Sequence, residues 1–307
     1  MKKVLILLCC LVLSGGVADA QSQSFCFAKR DTCDLFMDVY KPNPDEVQVR
    51  PQTIIYVFGG GFIMGKRNSQ DVVDYCQAMA KEGFTMVAID YRLGLKGVTK
   101  VGPLHTKPLD KAIHMGVEDL FSAVTYLLDH RNQFNVDPNQ IVITGGSAGA
   151  IICLQADYEL SNRTQWASAL PDDFRFAGVM SFSGAIFSRH GNVSYDVQPP
   201  APTLFMHGTA DKLVVYKKIK VFNLGFFGSD PLAKQFKKNG FPAMIVRFEG
   251  IGHQIAARSQ AEMERSIWFI ENYIDKKEAL TVDTTLKDPS IKEDAFSAFT
   301  PDDLYKN

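Results

Sequence analysis

Short runs of apolar, β-branched and aromatic residues alternate along the chain with longer segments whose apolar residues recur at helical spacing. The short runs predict strands at residues 53–58, 84–90, 140–144, 176–183, 203–207 and 243–248. The longer segments predict helices at residues 71–82, 114–130, 148–160 and 260–277. Strands that alternate with helices are typical of a mostly parallel sheet with helices on both faces, so we predict an α/β fold.

The two ends of the chain depart from this alternation. Residues 24–40 alternate between apolar and polar side chains around a charged turn, which predicts an antiparallel hairpin at the sheet edge. Residues 279–307 are charged and polar with no clear apolar period, and we expect them to form a loosely packed C-terminal tail. Residues 21–278 are enough to bury one large core, which predicts a single domain.

The first twenty residues carry the pattern of a cleavable export signal. Two lysines precede an uninterrupted apolar stretch at residues 4–13, and a segment of small residues then ends at Ala20. We expect cleavage after Ala20 and a secreted or periplasmic product. The apolar stretch is only about half of the roughly twenty residues that a bilayer crossing needs, so no membrane span is expected.

Charge and cysteine content narrow the range of partners. The 33 basic and 34 acidic residues give a formal net charge of −1 at pH 7, which provides no broad positive field for nucleic acid or anionic lipid. Cys26 and Cys33 lie in the predicted hairpin, where either a disulfide or two free thiols are compatible with the pattern. Cys76 and Cys153 lie in helical apolar patterns, which predicts small buried side chains.

A glycine-flanked serine directly follows one of the predicted strands. Residues 145–149 have the pattern G-x-S-x-G at the junction between the strand at 140–144 and the helix at 148–160. A sharp turn from strand to helix would project this serine above the sheet, which predicts Ser147 as a nucleophile. The N–H of Ala148, at the start of the helix, is then a predicted donor to an oxyanion. The alternative is a glycine-rich turn whose serine caps the helix.

A second glycine-rich segment follows the predicted strand at 53–58 and reaches the same edge of the sheet. Glycines at 59–61 have no Cβ, so their backbone can adopt unusual angles close to a substrate oxygen. We predict that the N–H groups of Gly60 and Gly61 complete an oxyanion hole. A flexible loop or a phosphate-binding loop are the alternatives, but the residues that follow do not match a phosphate-binding motif.

A serine hydroxyl needs a base, and the imidazole of histidine titrates in the right range. His253 lies in a glycine-rich loop after the last predicted strand and is the predicted base. Asp211, just beyond the strand at 203–207, is the predicted carboxylate that orients the ring, and Glu249 is the reserve candidate. His207 also ends a strand, but it precedes Asp211 by only four residues and is interpreted as structural.

Together these segments resemble the α/β-hydrolase superfamily, within it the hormone-sensitive-lipase-like and carboxylesterase-like enzymes, and most closely the Bacteroidetes ferulic-acid-esterase-type group. The resemblance spans residues 35–274 and rests on ordered motifs at 56–62, 88–93, 118–149, 207–211 and 250–253. It implies a catalytic domain at residues 21–278 and an acyl-enzyme mechanism without metal or organic cofactor. In that mechanism Ser147 attacks an ester carbonyl, His253 is the base and Asp211 orients the ring.

Three candidate functions remain open, of which the resemblance favours the first. The first is a serine carboxylic-ester hydrolase acting on acetyl or feruloyl esters of plant polysaccharide, or on small aryl and alkyl esters. The second is a prolyl-type serine peptidase, although the aromatic residue that such enzymes usually carry next to the serine is missing here. The third is a catalytically inactive hydrolase-fold binding module, although such proteins generally lose the serine or the histidine. The oligomeric state is not predicted.

Further predictions concern the surroundings of the site. Related esterases usually have a histidine before the glycine run, where this chain has Phe58, so the histidine's loop-bracing hydrogen bond cannot form. Asp90 and Arg92 are close in sequence at the end of a strand and predict an ion pair near the glycine loop. Aromatic residues usually belong to the core, but five could line an acyl pocket: Phe62, Phe182, Phe187, Phe226 and Phe227.

Overall fold

The computed structural model describes residues 22–102, 105–292, 297 and 299–305. The predicted export signal lies outside these residues, so cleavage after Ala20 stays a prediction. No helix in the described ranges combines the length and the apolar character that a bilayer crossing requires.

Two sheets contain all the strands of the described residues. The strands are β1 (Ser22–Lys29), β2 (Asp34–Tyr40), β3 (Thr53–Val57), β4 (Thr85–Ile89), β5 (Ile141–Gly146), β6 (Gly178–Phe182), β7 (Ala185–Ser188), β8 (Thr203–Gly208), β9 (Lys218–Val221), β10 (Leu224–Gly228), β11 (Ala243–Phe248) and β12 (Thr281–Leu286). Nine of them form one sheet in the order β1-β2-β4-β3-β5-β6-β8-β11-β12, and β7-β10-β9 form a smaller antiparallel sheet. All six predicted strands are present, and the predicted α/β fold is confirmed.

The helices lie between the strands of the large sheet and after its last strand. They are α1 (Gln70–Lys81), α2 (Lys107–Asp129), α3 (Arg131–Phe134), α4 (Ala148–Ser161), α5 (Ser229–Asn239), α6 (Met263–Phe269) and α7 (Pro301–Tyr305). Every residue of β3, β4, β5, β6 and β8 is buried, so the centre of the sheet is covered on both faces. Helix α2 begins earlier than predicted because Pro108, which has no N–H to lose, fits the first turn of a helix.

The N-terminal hairpin is confirmed at the edge of the large sheet. Strands β1 and β2 pair antiparallel, and β2 in turn pairs antiparallel with β4. Cys26 lies opposite Phe36 in this register, whereas Cys33 lies in the connecting turn. The thiols of both cysteines are free, and so are those of the buried Cys76 and Cys153.

The expectation of a loosely packed tail is wrong for residues 281–286. These residues form β12, which pairs in parallel with β11 and extends the large sheet. Exposed and half-buried residues alternate along β12, because its successive side chains point to opposite faces of the sheet and only one face contacts the protein. Only three of its side chains are half-buried, and so few apolar positions in a polar sequence do not predict a strand. The single structural unit therefore continues past the predicted boundary at residue 278.

Candidate active site

Ser147 is the single residue between β5 and α4. Its backbone has φ +53° and ψ −121°, angles that a residue with a side chain rarely adopts. Its N–H donates to the carbonyl of Phe182 on the neighbouring strand at 2.9 Å. A Cβ on Gly149 would lie 1.9 Å from the carbonyl oxygen of Val57, so only glycine lets α4 start this close to β3. The predicted turn from strand to helix is therefore confirmed.

The structure brings the three predicted reacting side chains together at one edge of the large sheet. The Oγ of Ser147 lies 2.9 Å from Nε2 of His253, and Nδ1 of His253 lies 2.8 Å from Oδ2 of Asp211. All three residues are buried, with exposures of 9%, 5% and 6% for Ser147, His253 and Asp211. A neutral imidazole that donates from Nδ1 to the carboxylate keeps Nε2 free to accept the serine proton.

The carboxylate of Asp211 has more partners than the triad requires. Its Oδ1 accepts hydrogen bonds from the N–H groups of Leu213 and Val214, both at 3.0 Å. Burial opposes the negative charge, but hydrogen bonds from His207 and His253 outweigh it and hold the pKa of Asp211 below its usual range. The group is therefore an anion at neutral pH. The reserve candidate Glu249 is exposed and has no such surroundings.

His207 contacts the carboxylate of Asp211, and the sequence did not predict this contact. Its Nε2 lies 3.1 Å from Oδ2 of Asp211 and 3.0 Å from the carbonyl oxygen of Val214. Both neighbours are acceptors, so this nitrogen carries a proton, and Nδ1 can accept from the hydroxyl of Ser229 at 2.8 Å. His207 precedes Asp211 by only four residues, which favoured a structural interpretation. That short spacing in sequence is also what places the carboxylate of Asp211 beside the His207 ring.

The glycine loop packs directly against the serine turn. A Cβ on Gly59 would lie 3.4 Å from the Cβ of Ser147. Gly60 and Gly61 have φ +124° and +62°, which side chains disfavour, and the carbonyl of Gly60 closes the turn by accepting from two later N–H groups. Within the described residues, no hydrogen-bond acceptor meets the N–H groups of Gly60, Gly61 or Ala148. These donors are therefore available to a ligand beside Ser147.

Aromatic side chains hold the glycine loop at both ends. The buried ring of Phe58 stacks on Tyr91 with a centroid distance of 4.4 Å, so packing replaces the hydrogen bond that a histidine would make there. At the other end, the hydroxyl of Tyr305 donates to the carbonyl oxygen of Gly61 at 3.1 Å. This second contact comes from the region that the sequence predicted as a loose tail.

The predicted ion pair between Asp90 and Arg92 is wrong. Asp90 binds Arg67 at 2.7 Å, whereas Arg92 binds Asp119 on α2 at 2.9 Å. The carboxylate of Asp119 is fully buried and accepts from both the backbone and the guanidinium of Arg92. A guanidinium binds strongly to a buried carboxylate that accepts from it at two atoms, and Asp90 is already paired with Arg67.

A cavity of about 170 Å³ lies beside Ser147 and Ala148. Its walls come from the start of α2, from the smaller sheet and from α7, and Lys212 is the only formally charged side chain among the described lining residues. Three of the five candidate phenylalanines line it: Phe62, Phe187 and Phe226. Phe182 is fully buried in the core, and Phe227 is buried without lining the cavity.

The described residues contain no group of three histidine, cysteine or acidic side chains placed to hold a metal ion. The expectation that the chain works without metal or organic cofactor stays a prediction.

Comparisons with known proteins find similar esterases. Residues 37–186, from β2 to β7, match the BD-FAE family model, and the matched range includes the glycine loop and Ser147. The apo form of Thermogutta terrifontis esterase 2 superposes with a TM-score of 0.59 at 21% identity, over 84% of this chain and 96% of that one. The fold is that of the α/β-hydrolases. The predicted resemblance to the α/β-hydrolase esterases is therefore confirmed.

Two curated relatives each match part of this chain. The medium-chain fatty acyl-CoA hydrolase precursor of Anas platyrhynchos is 28% identical over 117 residues, or 38% of this chain and 20% of the relative. Gut esterase 1 of Caenorhabditis elegans is 26% identical over 136 residues, or 44% of this chain and 23% of the relative. The chain thus spans about a fifth of the length of these relatives.

Proposed function

We propose that this α/β-hydrolase cleaves carboxylic esters through an acyl-enzyme on Ser147. The observation that carries the proposal is the continuous contact from Asp211 through His253 to Ser147, at 2.8 Å and 2.9 Å. An ionised, buried carboxylate fixes the tautomer of the imidazole and stabilises the imidazolium that forms. The BD-FAE match and the esterases among the relatives and solved structures support an ester as the substrate.

The mechanism begins with attack by the Oγ of Ser147 on the ester carbonyl carbon. Its proton passes to Nε2 of His253, and negative charge develops on the carbonyl oxygen. We propose that the N–H groups of Gly60, Gly61 and Ala148, which meet no acceptor among the described residues, stabilise that charge, and one such donor is worth roughly 10²- to 10³-fold in kcat.

Collapse of the tetrahedral intermediate breaks the bond to the alcohol, which leaves with the proton from His253. The acyl group stays on Ser147. Water then loses a proton to His253 and attacks the acyl carbonyl, and the returning proton restores the serine hydroxyl as the carboxylic acid leaves. Asp211 keeps its negative charge throughout.

We propose esters with an apolar acyl group as the substrate class. The cavity beside Ser147 is lined mainly by apolar side chains, and a charged acyl group would lose hydration against them. Small aryl and alkyl esters fit this requirement. Acetyl and feruloyl esters of plant polysaccharide are proposed from the BD-FAE match, which covers the serine turn and the glycine loop.

We further propose that the enzyme is exported. The two lysines, the apolar stretch at residues 4–13 and the small residues up to Ala20 support this, because that order is typical of a cleavable signal. Mass spectrometry of protein secreted or released from the periplasm would show Gln21 at the N-terminus. A chain that keeps residues 1–20 in the cytoplasm would contradict the proposal.

The function is tested with p-nitrophenyl esters, methyl ferulate and an aminoacyl-prolyl p-nitroanilide, together with labelling by a fluorophosphonate probe. We expect ester hydrolysis and labelling in the native chain, loss of both in Ser147→Ala, and retention of both in Ser168→Ala, which alters an exposed serine outside the cavity. Faster cleavage of the prolyl amide would instead support a peptidase. Absence of both turnover and labelling would support a binding module.

A further inference from the structure

The chain after β12 returns to the active site. The side-chain Nε2 of Gln254, next to the proposed base, donates to the carbonyl of Lys292 at 3.3 Å. The carbonyl oxygen of Ser297 lies 2.4 Å from where a Cβ on Gly252 would stand, so the two backbones are in direct contact. The residues on both sides of His253 therefore touch this segment, which the sequence predicted to be a loose tail.

Helix α7, further along the same segment, lies on the glycine loop. The Cδ2 of Leu304 lies 2.4 Å from where a Cβ on Gly61 would stand, so a larger residue at position 61 would displace the side chain of Leu304. The hydroxyl of Tyr305 donates to the carbonyl of Gly61 at 3.1 Å. Burial raises the pKa of Tyr305 to about 12, which keeps this hydroxyl protonated as a donor at neutral pH.

The side chain of Leu304 faces the cavity beside the nucleophile. Pro301, Leu304 and Tyr305 line the same cavity as Ser147 and Ala148. Phe187 and Phe226 of the smaller sheet contribute other parts of the wall. The cavity keeps a volume of about 170 Å³ with α7 in place, so the helix bounds the cavity rather than filling it.

We propose that α7 is a wall of the acyl-binding cavity and that Leu304 limits the length of the acyl group. The inference rests on the proposed ester hydrolysis, because an acyl group bonded to the Oγ of Ser147 has this cavity beside it. Shortening the side chain at 304 lengthens the space available to the acyl chain, and enlarging it has the opposite effect. Leu304 is thus a specificity-determining residue that lies outside the range matched by the family model.

The test compares kcat/KM for p-nitrophenyl acetate, butyrate, hexanoate and octanoate in three variants. Leu304→Ala is expected to raise the ratio of octanoate to acetate about tenfold, since one methylene in an apolar pocket changes kcat/KM by about that factor. Leu304→Phe is expected to lower the same ratio. Leu280→Ala is the matched control, because Leu280 is exposed and does not line the cavity.

Thermal unfolding and fluorophosphonate labelling of each variant identify any loss of fold. An unchanged chain-length profile in folded, labelled Leu304→Ala would overturn the inference and leave the ester hydrolase standing. Equal acceleration of all four esters would also overturn it, because Leu304 would then restrict access to the site without selecting acyl groups by length.

A binding measurement covers the case in which the native chain hydrolyses no ester and the proposed function fails. Calorimetry of butyrate and octanoate with Ser147→Ala, either alone or combined with Leu304→Ala, makes the same comparison without turnover. The inference requires a gain in octanoate affinity relative to butyrate when Leu304 is shortened. Equal ratios of affinity in the two proteins would overturn it.

Discussion

The reacting side chains and the cavity beside them are built from different kinds of structure. Ser147, Asp211 and His253 follow β5, β8 and β11, strands that are almost entirely buried. Part of the cavity wall comes from α7 and from β9, and all four residues of β9 are exposed. A side chain at the end of a buried strand cannot move without disturbing the core, whereas an exposed wall can change at little cost in stability. In the proposed mechanism the first region determines the rate, and the second determines which acyl group is accepted.

The largest effect is expected from His253→Ala. Without the imidazole no group removes the proton of Ser147, and kcat should fall roughly 10⁴- to 10⁶-fold, while Tm changes little. Steady-state kinetics with p-nitrophenyl acetate measure the loss. His130→Ala, which removes an exposed histidine at the end of α2, is the control and should leave kcat unchanged. Near-native turnover of His253→Ala would refute its assignment as base.

Gly60→Ala comes next because it displaces the proposed oxyanion donors without touching the triad. The new Cβ would lie 2.1 Å from the carbonyl oxygen of Met64, at a φ of +124°. We expect a loss of about 10²-fold in kcat with a small change in KM. Gly240→Ala is the matched control: its φ is +70°, but nothing lies within 4 Å of the new Cβ. The comparison fails if both variants lose the same activity.

His207→Leu should have a smaller effect, because His207 contacts the acid and not the nucleophile. It removes one hydrogen bond to the carboxylate of Asp211, and we expect kcat to fall about tenfold at constant KM. His207→Gln keeps an N–H donor and should recover part of the loss. A change in KM alone, with kcat preserved, would show that His207 does not position Asp211.

The smallest effect is expected on the pH dependence of the protein's stability, through His114 on α2. Burial opposes protonation of His114, but hydrogen bonds to Asp110 and Glu159 outweigh it and raise its pKa from 6.5 to about 9. The protonated ring therefore stabilises the fold fully below pH 6.5, and this contribution is lost as the pH rises through about 9. The Tm of the native chain should exceed that of His114→Gln by a few degrees at about pH 6 and by less at about pH 10. A constant difference would contradict this assignment.

The sequence predicted the first region better than the second for a physical reason. Strands buried on both faces are continuous apolar runs, and glycines at their ends mark the turns that carry Ser147 and His253. Such signals are local, so they can be recognised in the sequence without knowledge of the fold. Strand β9 alternates lysine with aliphatic residues over only four positions and is exposed throughout, so the pattern is too short to distinguish it from a loop.

Contacts between distant segments were the main failures. Leu304 and Tyr305 reach the glycine loop across more than two hundred residues of sequence, from a polar region whose composition predicts a loose tail. Arg92 binds Asp119 on α2 rather than its near neighbour Asp90. Burial and the geometry of the charged groups determine which residues pair in this way. Both depend on how the sheet and helices pack, which the local sequence does not show.

The central claim is that Ser147 becomes acylated during turnover. The most direct measurement is acid quenching of the enzyme within milliseconds of mixing with p-nitrophenyl butyrate, followed by proteolysis and mass spectrometry of the peptides. The account predicts a butyryl group on the peptide that contains Ser147, absent from Ser147→Ala and lost when the substrate is exhausted. Turnover with the butyryl group on another residue, or in Ser147→Ala at the native rate, would contradict it.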